Sequence, residues 1–429
     1  MNTLKNTLIT PNIKNLGFSW LVWGLAATFY FSDYLARVAP SVMHRSLQEA
    51  FNINEAGFGL LISSFYIPYI FMQIPVGLTV DRLSIRNLLT GMSLITGFGC
   101  ILFGLASTLE VACIGRMLIG FSAAFAFISA LRLATSWFPP HMLGLLAGLT
   151  QALGMLGAST GEAPVSMLAE LVGWRHTMLL MAGLFIILSA LLYHFIHDHP
   201  DQAHDAPGDK TTLSIIQSLK IVLSNKQTWI NALYVGFLYA PTAVIGEAIG
   251  AAYLQYGRGL SSHGAAFATG LIFIGWGISG PLSGWLSDRM GRRKPLMICS
   301  ALCGVIFSTY FVFIDSFNET SACILFFFYG VTNIGVAIGY AVSTEIHQRD
   351  VIGTSIAFTN MSSIFVGACL VPIVGYLIDN IAGVRAYNVS KLVLSDFQFG
   401  LQLLPLCSLV ALVMAFRIKE TFCRPIIHS

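Results

Sequence analysis

Long apolar stretches separated by short polar segments follow one another along most of the chain. Each stretch contains about 20 residues or more, the length that an α-helix needs to cross the hydrocarbon core of a bilayer. The pattern predicts twelve membrane-spanning helices, at 17–41, 55–80, 88–108, 111–137, 142–171, 176–197, 228–256, 264–287, 294–314, 321–344, 353–377 and 398–418. The predicted fold class is therefore an all-α membrane protein.

The composition agrees with a chain that is surrounded by lipid. Hydrophobic residues make up 55% of it and charged residues only 10%, whereas charged residues make up about 25% of a typical soluble domain. The net charge of +3 is small, and the basic residues do not form a single run. These features predict membrane lipid as a partner and no nucleic acid.

A short polar signature occurs twice in the chain, each time between two apolar stretches. The first copy contains Gly77, Asp81 and Arg82, and the second contains Gly284, Asp288 and Arg289. The copies are 207 positions apart, since 284 minus 77 is 207. A repeat of this length in an apolar chain indicates two pseudo-symmetric six-helix bundles joined head to tail.

The distribution of Lys and Arg predicts the orientation, because cytoplasmic segments of membrane proteins carry an excess of both. With the N-terminus inside, sixteen fall in cytoplasmic segments, namely Lys5, Lys14, Arg82, Arg86, Arg132, Lys210, Lys220, Lys226, Arg289, Arg292, Arg293, Lys294, Arg349, Arg417, Lys419 and Arg424. Five fall outside, namely Arg45, Arg175, Arg258, Arg385 and Lys391. Both termini are therefore predicted to be cytoplasmic. The predicted boundaries are an N-terminal segment 1–16, a first bundle 17–197, a hydrated cytoplasmic linker 198–227, a second bundle 228–418 and a tail 419–429.

The loop signature also carries a resemblance to a known family. The second copy runs from Gly284 to Lys294 as GWLSDRMGRRK, and the first departs from it at Ser84 and Ile85. Related segments follow in family order, namely Arg116 to Gly120, Trp137-Phe-Pro-Pro and Gly173-Trp-Arg175. With twelve helices in two halves, the chain resembles the major facilitator superfamily of secondary transporters. The resemblance implies alternating access, in which the two halves rock about a site near the membrane midplane.

The resemblance implies that the two signatures act as a cytoplasmic gate. Their carboxylates would accept hydrogen bonds from a helix N-terminus or an Arg of the neighbouring half, and these contacts would break as the halves rock. The predicted gate residues are Gly77, Asp81, Arg82, Arg86, Gly284, Asp288, Arg289, Gly291 and Arg292. The alternative is that these charges only set the topology and form a tight turn.

The first predicted helix has a polar face inside its apolar stretch. Tyr30, Asp33, Tyr34 and Arg37 follow at i, i+3, i+4 and i+7, which places all four on one side of a helix. Charges in a bilayer are costly, so this face is expected to line a central cavity, with Asp33 and Arg37 able to pair. The alternative for Arg37 is a place near the membrane boundary, where its side chain extends to water.

Further polar residues in the apolar stretches complete the predicted substrate site, namely Tyr66, Gln73, Arg116, Gln151, Tyr239, Asn333 and Asn360. The resemblance implies that Arg116 is the intramembrane Arg of the family, which binds anionic groups or affects a nearby carboxyl group. Aromatic residues at this spacing are also common in packing. Most embedded charges lie in the first half, which is therefore expected to recognise the charge of the substrate.

Three embedded carboxyl groups, Asp33, Glu162 and Glu247, are candidates for proton coupling. Burial favours the protonated form of a carboxyl group and a nearby Arg favours the charged form, a balance that suits proton binding and release. The alternative for Glu162 and Glu247 is a structural hydrogen bond to a helix backbone. No nucleophile–base motif, phosphate loop or metal-ligand spacing stands out, so no enzyme, cofactor or metal site is predicted.

The predicted function is a proton-coupled importer of a small charged metabolite, such as an amino acid, a peptide fragment or an organic carboxylate. A proton-coupled drug exporter is the alternative, but the region from Gly157 to Pro164 lacks the Gly-Pro pair that such exporters carry. A receptor or scaffold without transport has no reason to retain embedded charges. Short loops and a compact tail favour a monomeric protein of a bacterial inner membrane, with a small molecule and protons as its partners.

Overall fold

The computed structural model describes residues 16–138, 142–197, 215–314, 318–348 and 351–424. Within these ranges every regular element is helical, and no strand is present. The predicted N-terminal segment and most of the linker lie outside the described residues. The end of the predicted linker forms a helix, Ile215–Ser224.

The spanning helices are numbered α1 to α12. In the first half they are α1 (Leu16–Val38), α2 (Glu55–Ser63 and Tyr66–Arg82), α3 (Ile85–Leu105), α4 (Leu109–Trp137), α5 (143–172) and α6 (174–195). In the second half they are α7 (Lys226–Glu247), α8 (Ser262–Met290), α9 (Lys294–Phe313), α10 (Glu319–Val331 and Ile334–Glu345), α11 (Ile352–Ala382) and α12 (Leu394–Leu401 and Leu403–Arg417).

The number of spans in the described residues agrees with the prediction. Ten helices are long and apolar enough to cross a membrane. One of them, Leu145–Phe195, bends at Gly173, whose φ of 80° lies outside the helical range, so it contributes both α5 and α6. Helix α1 is the twelfth span, and its polar face lowers its hydropathy. The chain is a multi-pass membrane protein with twelve spanning helices.

The most extensive contacts between the two halves are made by two pairs of helices. Helix α2 packs against α11, and α5 packs against α8. Because the number of spans is even, α1 begins and α12 ends on one side of the molecule. We call that side the terminal face and the other side the opposite face.

Breaks in the helices place the polar residues described below. Helix α1 ends just before Pro40 and continues as a 3-10 segment, Ala39–Met43. Helix α7 ends at Glu247 and is followed by a single helical turn, Gly250–Ala252, and a π-helical turn, Tyr253–Gly257. Helix α10 is interrupted at Thr332 and Asn333. Such breaks occur where backbone lines a site rather than lipid.

Candidate functional site

A buried ion pair joins the two halves near the centre of the molecule. Arg37 of α1 donates from Nε to Oε2 of Glu247, at the end of α7, over 3.0 Å. The two side chains are 3% and 1% exposed, respectively. The sequence predicted both residues as site residues, but Arg37 does not pair with Asp33, one turn away on its own helix. The pairing partner comes instead from the other half.

Two tyrosines complete the environment of the Glu247 carboxylate. Tyr66 of α2 donates to Oε2, and Tyr239 of α7 donates to Oε1 over 2.7 Å. Nη2 of Arg37 donates to the Tyr239 hydroxyl over 2.5 Å. The guanidinium also lies 5.1 Å from the ring centre of Tyr34, a distance typical of a cation–π contact. Each half therefore supplies one charge of the pair and one of the two phenols that donate to the Glu247 carboxylate.

The turn after α7 places Glu247 at this position. The backbone folds back so tightly that a Cβ at Gly250 would lie only 1.8 Å from the Ile245 carbonyl oxygen. Glycine is therefore required at this turn. A carboxylate at a helix break can meet donors from several directions, which suits a residue that contacts both halves.

Arg116 holds the end of α1 in place. This fully buried side chain of α4 donates from Nη1 to the carbonyl oxygens of Ala36 and Arg37, over 3.2 and 3.1 Å. The last carbonyl groups of a helix have no partner within the helix, so Arg116 acts as a cap for α1. In this structure its described hydrogen bonds orient the residue that carries the central charge. Its predicted contact with a substrate stays a prediction.

The other two carboxyl candidates form no ion pair among the described residues. Asp33 is 2% exposed, and its Oδ1 makes no hydrogen bond there. Glu162 is fully buried; its Oε1 accepts a hydrogen bond from Ser41 over 2.7 Å, and its Oε2 has no partner. Glu162 therefore bonds to a hydroxyl group of the 3-10 segment, and not to a helix backbone.

The uncharged candidates fall into two groups around the ion pair. Tyr30 donates to Gln151 over 3.3 Å within the first half. Asn360 of α11 donates to Gln73 of α2 over 2.7 Å, and this bond joins the halves on the terminal side of the ion pair. Asn360 also accepts a hydrogen bond from Tyr340 within the second half.

Asn333 lies apart from the other predicted site residues. At the break in α10 it forms hydrogen bonds with Thr242 and with the Gly330 carbonyl group. Its described contacts are thus confined to the second half.

A network at the opposite face closes the α2–α11 interface, and the sequence did not indicate it. The carboxylate of Asp379 accepts hydrogen bonds from the backbone N–H groups of Glu55 and Ala56, over 3.0 and 2.9 Å. An α11 side chain therefore caps the N-terminus of α2, where a negative charge is favourable. Gln48 adds a bond to the Ala386 carbonyl group over 3.2 Å. The signal in the sequence for this contact was Asp379 itself, an acidic residue at the end of an apolar stretch.

At the terminal face, the charges of the second signature pair within the second half. Arg293 donates to Asp288 over 2.8 Å and to Glu345 of α10, also over 2.8 Å. Burial opposes the charge of Arg293, but the hydrogen bond and the charge of Glu345 raise its pKa above the usual value. Glu420 of the tail accepts from the backbone N–H of Arg293 over 2.8 Å. Neither Glu345 nor Glu420 was among the residues predicted from the sequence.

The remaining predicted gate residues either make contacts with nearby residues or have side chains that the structure does not describe. Arg289 lies over the ring of Trp285 at 5.5 Å, and Arg86 lies over Tyr193 at 4.2 Å. Gly291 ends α8 with a φ of 61°. The side chains at positions 77, 81 and 82 are not among those that the structure describes, so their contacts in a gate stay predictions. For Gly284 and Arg292 the role in a gate stays a prediction.

The contacts between the halves define a conformation. Every described hydrogen bond or ion pair between them lies at the level of the Gln73–Asn360 bond or closer to the opposite face. At that face, Glu170 of α5 accepts a hydrogen bond from Ser262 of α8 over 2.6 Å. At the terminal face, Arg293 pairs with Glu345 inside the second half. The described bonds between the halves therefore define a state closed at the opposite face.

Comparison with known proteins agrees with this architecture. The sequence model of the Major Facilitator Superfamily matches residues 22–372 and 240–418. A probable galactarate/D-glucarate transporter of Escherichia coli is 23% identical and is aligned over 84% of this chain and 86% of its own length. The hexuronate transporter of Bacillus subtilis is 23% identical over 81% of this chain and 85% of its own.

A probable sulfoacetate transporter of Cupriavidus necator is 25% identical over 64% of this chain, and the alignment spans 66% of that relative. Two solved structures share the fold. A bacterial homologue of the human lysosomal transporter Spinster aligns with a TM-score of 0.74 and 16% identity, over 94% of this chain and 96% of that one. A D-xylose–proton symporter aligns with a TM-score of 0.70 and 16% identity. The chain belongs to the major facilitator superfamily and is a membrane transporter rather than an enzyme.

Proposed function

We propose that the protein is a proton-coupled importer of small organic acids and that Arg37 binds the acidic group of the substrate. In this proposal the terminal face lies in the cytoplasm of a bacterial cell, and the opposite face takes up the acid. The state closed at the opposite face is then the state that faces the cytoplasm. The observation that carries the proposal is the buried Arg37–Glu247 pair, which connects the two halves.

The geometry of the pair leaves room for competition by a substrate. An Arg binds a carboxylate most strongly when two of its nitrogens donate side by side. Among the described hydrogen bonds, Arg37 donates to Glu247 through Nε alone, whereas its Nη2 donates to Tyr239. An acid that engaged two nitrogens at once would form a better pair with Arg37 than Glu247 does, and it would displace Glu247.

Proton coupling follows from the same exchange. When an acid displaces Glu247, its carboxylate is left buried without a cation, which is costly. A proton on Glu247 removes that cost, and the phenols of Tyr66 and Tyr239 can still bond to its oxygens. Acid and proton would therefore bind together, and both would leave toward the cytoplasm before the pair forms again. Arg116 would keep α1 in place during this exchange.

The relatives support an acid as the substrate class. Three of them carry names that refer to transport of galactarate or glucarate, of hexuronate and of sulfoacetate, all small organic anions. Amino acids and peptide fragments would need an anionic group as a second partner. Asp33 could supply it, but the names of the three relatives refer to acids, so organic acids are the favoured class.

Uptake into proteoliposomes tests the proposal. Labelled glucarate, galacturonate, sulfoacetate and a set of amino acids would be offered with and without a pH gradient that is acidic outside. We expect at least one acid to accumulate only with the gradient, and Arg37→Gln to abolish that accumulation. Arg417→Gln, which removes an exposed charge at the end of α12, is the matched control. Uptake of amino acids alone, or expulsion of lipophilic cations, would contradict the proposal.

A further inference from the structure

Glu162 is the second buried carboxyl group close to the interface of the halves, and it differs from Glu247 in its partners. Glu247 has an Arg and two phenols, whereas Glu162 has one hydroxyl group, that of Ser41, and one oxygen without a partner. A fully buried carboxylate without a cation costs several kcal/mol, more than about 1 kcal/mol from a hydrogen bond can offset. A proton on Glu162 removes most of that cost.

A polar cleft at the opposite face lies directly above Glu162. The cleft has a volume of about 180 Å³ and lies between the two halves. Ser41 forms part of its wall and also donates to Glu162. Ser166, one turn along α5 from Glu162, forms another part. The cleft is large enough for several water molecules at about 30 Å³ each. Glu162 is thus connected to the wall of this cleft by its hydrogen bond with Ser41.

Helix α8 covers Glu162 from the second half. A Cβ at Gly270 would lie 3.5 Å from the Cβ of Glu162 and 3.1 Å from the Ser159 hydroxyl oxygen. Ala266, one turn along α8, lines the same cleft. In this closed state α8 thus covers the carboxyl group. Separation of the halves at the opposite face would move α8 away and widen the cleft over Glu162.

The ionisable groups around this site come from each neighbouring element. The segment after α1 contributes His44 and Arg45 at the cleft, α5 contributes Glu170, and the turn after α7 contributes Tyr256. Helix α8 contributes His263, which lies 3.5 Å from Glu170. Among the described residues, the charged group that acts on Glu162 is the carboxylate of Glu247, at the end of α7. Glu247 is itself neutralised by Arg37 in this state.

We propose that Glu162 is a proton-binding site loaded from the opposite-face cleft, and that the α5–α8 interface closes only after the carboxylate has bound a proton. The step transfers a proton from hydronium in the cleft to the Glu162 carboxylate and leaves water behind. Because the halves can close over a neutral group at much lower cost than over a charged one, proton binding drives closure. The inference rests on the proposed proton-driven transport and adds a proton site distinct from Glu247.

Distance measurements between spin labels test the proposal without a substrate. Labels at Leu171 of the first half and Val384 of the second, both exposed at the opposite face, would report closure. The eight native cysteines would first be replaced. We expect the wild-type protein to shift toward the short distance as the pH falls from about 8 to about 6, and Glu162→Gln to give the short distance at both. Glu170→Gln removes the other titratable contact between the halves in this cleft, the Glu170–His263 pair; the shift with pH should persist in this variant, and its loss there would contradict the role of Glu162.

A second pair of variants decides the matter if Glu162→Gln does not fold. Ser41→Ala removes a donor that stabilises the charged carboxylate, and should move the midpoint of closure up by about 0.7 pH unit. Ser46→Ala, which changes the cleft without touching Glu162, should leave the midpoint unchanged. A normal pH response in Glu162→Gln, or identical midpoints in the two serine variants, would overturn the inference. Failure of acid uptake by the wild-type protein would instead refute the proposed function.

Discussion

The ion pair between Arg37 and Glu247 is predicted to stabilise the state closed at the opposite face. Glu247→Ala removes the charged partner of a guanidinium that is only 3% exposed. Breaking a buried pair in this way costs about 3–5 kcal/mol, because the remaining charge is left uncompensated. It also removes the acceptor of two phenol groups, Tyr66 and Tyr239. Water hydrates Arg37 once the halves separate, so this cost destabilises the closed state relative to the open state.

This cost corresponds to a large change in population. Since about 1.4 kcal/mol is a factor of ten, a loss of about 3 kcal/mol lowers the ratio of closed to open molecules by more than about 100-fold. The spin-label pair at 171 and 384 measures that ratio. We expect Glu247→Ala to populate almost only the long distance and Glu247→Gln, which can still accept from the phenols, to have a smaller effect.

The control for this experiment is a buried pair that does not join the halves. Glu345 pairs with Arg293 inside the second half, so Glu345→Ala should lower stability without changing the distance between the labels. The reasoning is refuted if Glu247→Ala gives the wild-type distance distribution, or if both variants shift it equally.

Three further predictions use glycines and the charge cluster at the terminal face. Gly375→Ala places a Cβ 2.5 Å from the Glu55 carbonyl oxygen of the other half. The overpacking, about 1–3 kcal/mol, should destabilise the closed state and favour the long label distance. Gly353→Ala on the same helix meets open space and should leave the label distance unchanged. Gly250→Ala should displace the turn that holds Glu247 and reduce acid uptake at least several-fold, whereas Gly280→Ala, also in open space, should retain it. Arg293→Ala leaves Glu345 buried without its cation and should lower the free energy of unfolding by about 1–3 kcal/mol. Thermal unfolding in detergent measures this loss, with Arg292→Ala, which removes an exposed charge, as the control. Equal unfolding midpoints in the two variants would contradict a stabilising role of the Arg293–Glu345 pair.

Much of the fold follows from hydrophobicity along the chain, because each spanning helix must be apolar over a bilayer thickness. The polar face of α1 was equally clear, since its residues share one side of a helix whatever surrounds it. Breaks inside the apolar stretches were missed, as in α2 at Ser64 and Phe65. The hydropathy pattern continues through them, and only tertiary contacts reveal where the backbone departs from a helix.

The partners of the site residues could not be predicted in the same way. Arg37 had a carboxylate one turn away at Asp33, yet it pairs with Glu247, 210 positions later. Local spacing says nothing about which helices of the two halves meet. The same limit applies to the Ser41–Glu162 bond and to Asp379 at the α2 N-terminus. Both depend on how a loop or a helix end packs against another element.

Competition between a substrate acid and Glu247 for Arg37 can be measured as acid binding to purified protein at about pH 8. Titration calorimetry would compare the wild-type protein, Glu247→Gln and Arg37→Gln, with an acid found in the uptake experiment. We expect Glu247→Gln to bind the acid at least about tenfold more tightly than the wild-type protein, because its neutral amide no longer competes, and Arg37→Gln not to bind it. Equal affinities in all three proteins would contradict this competition.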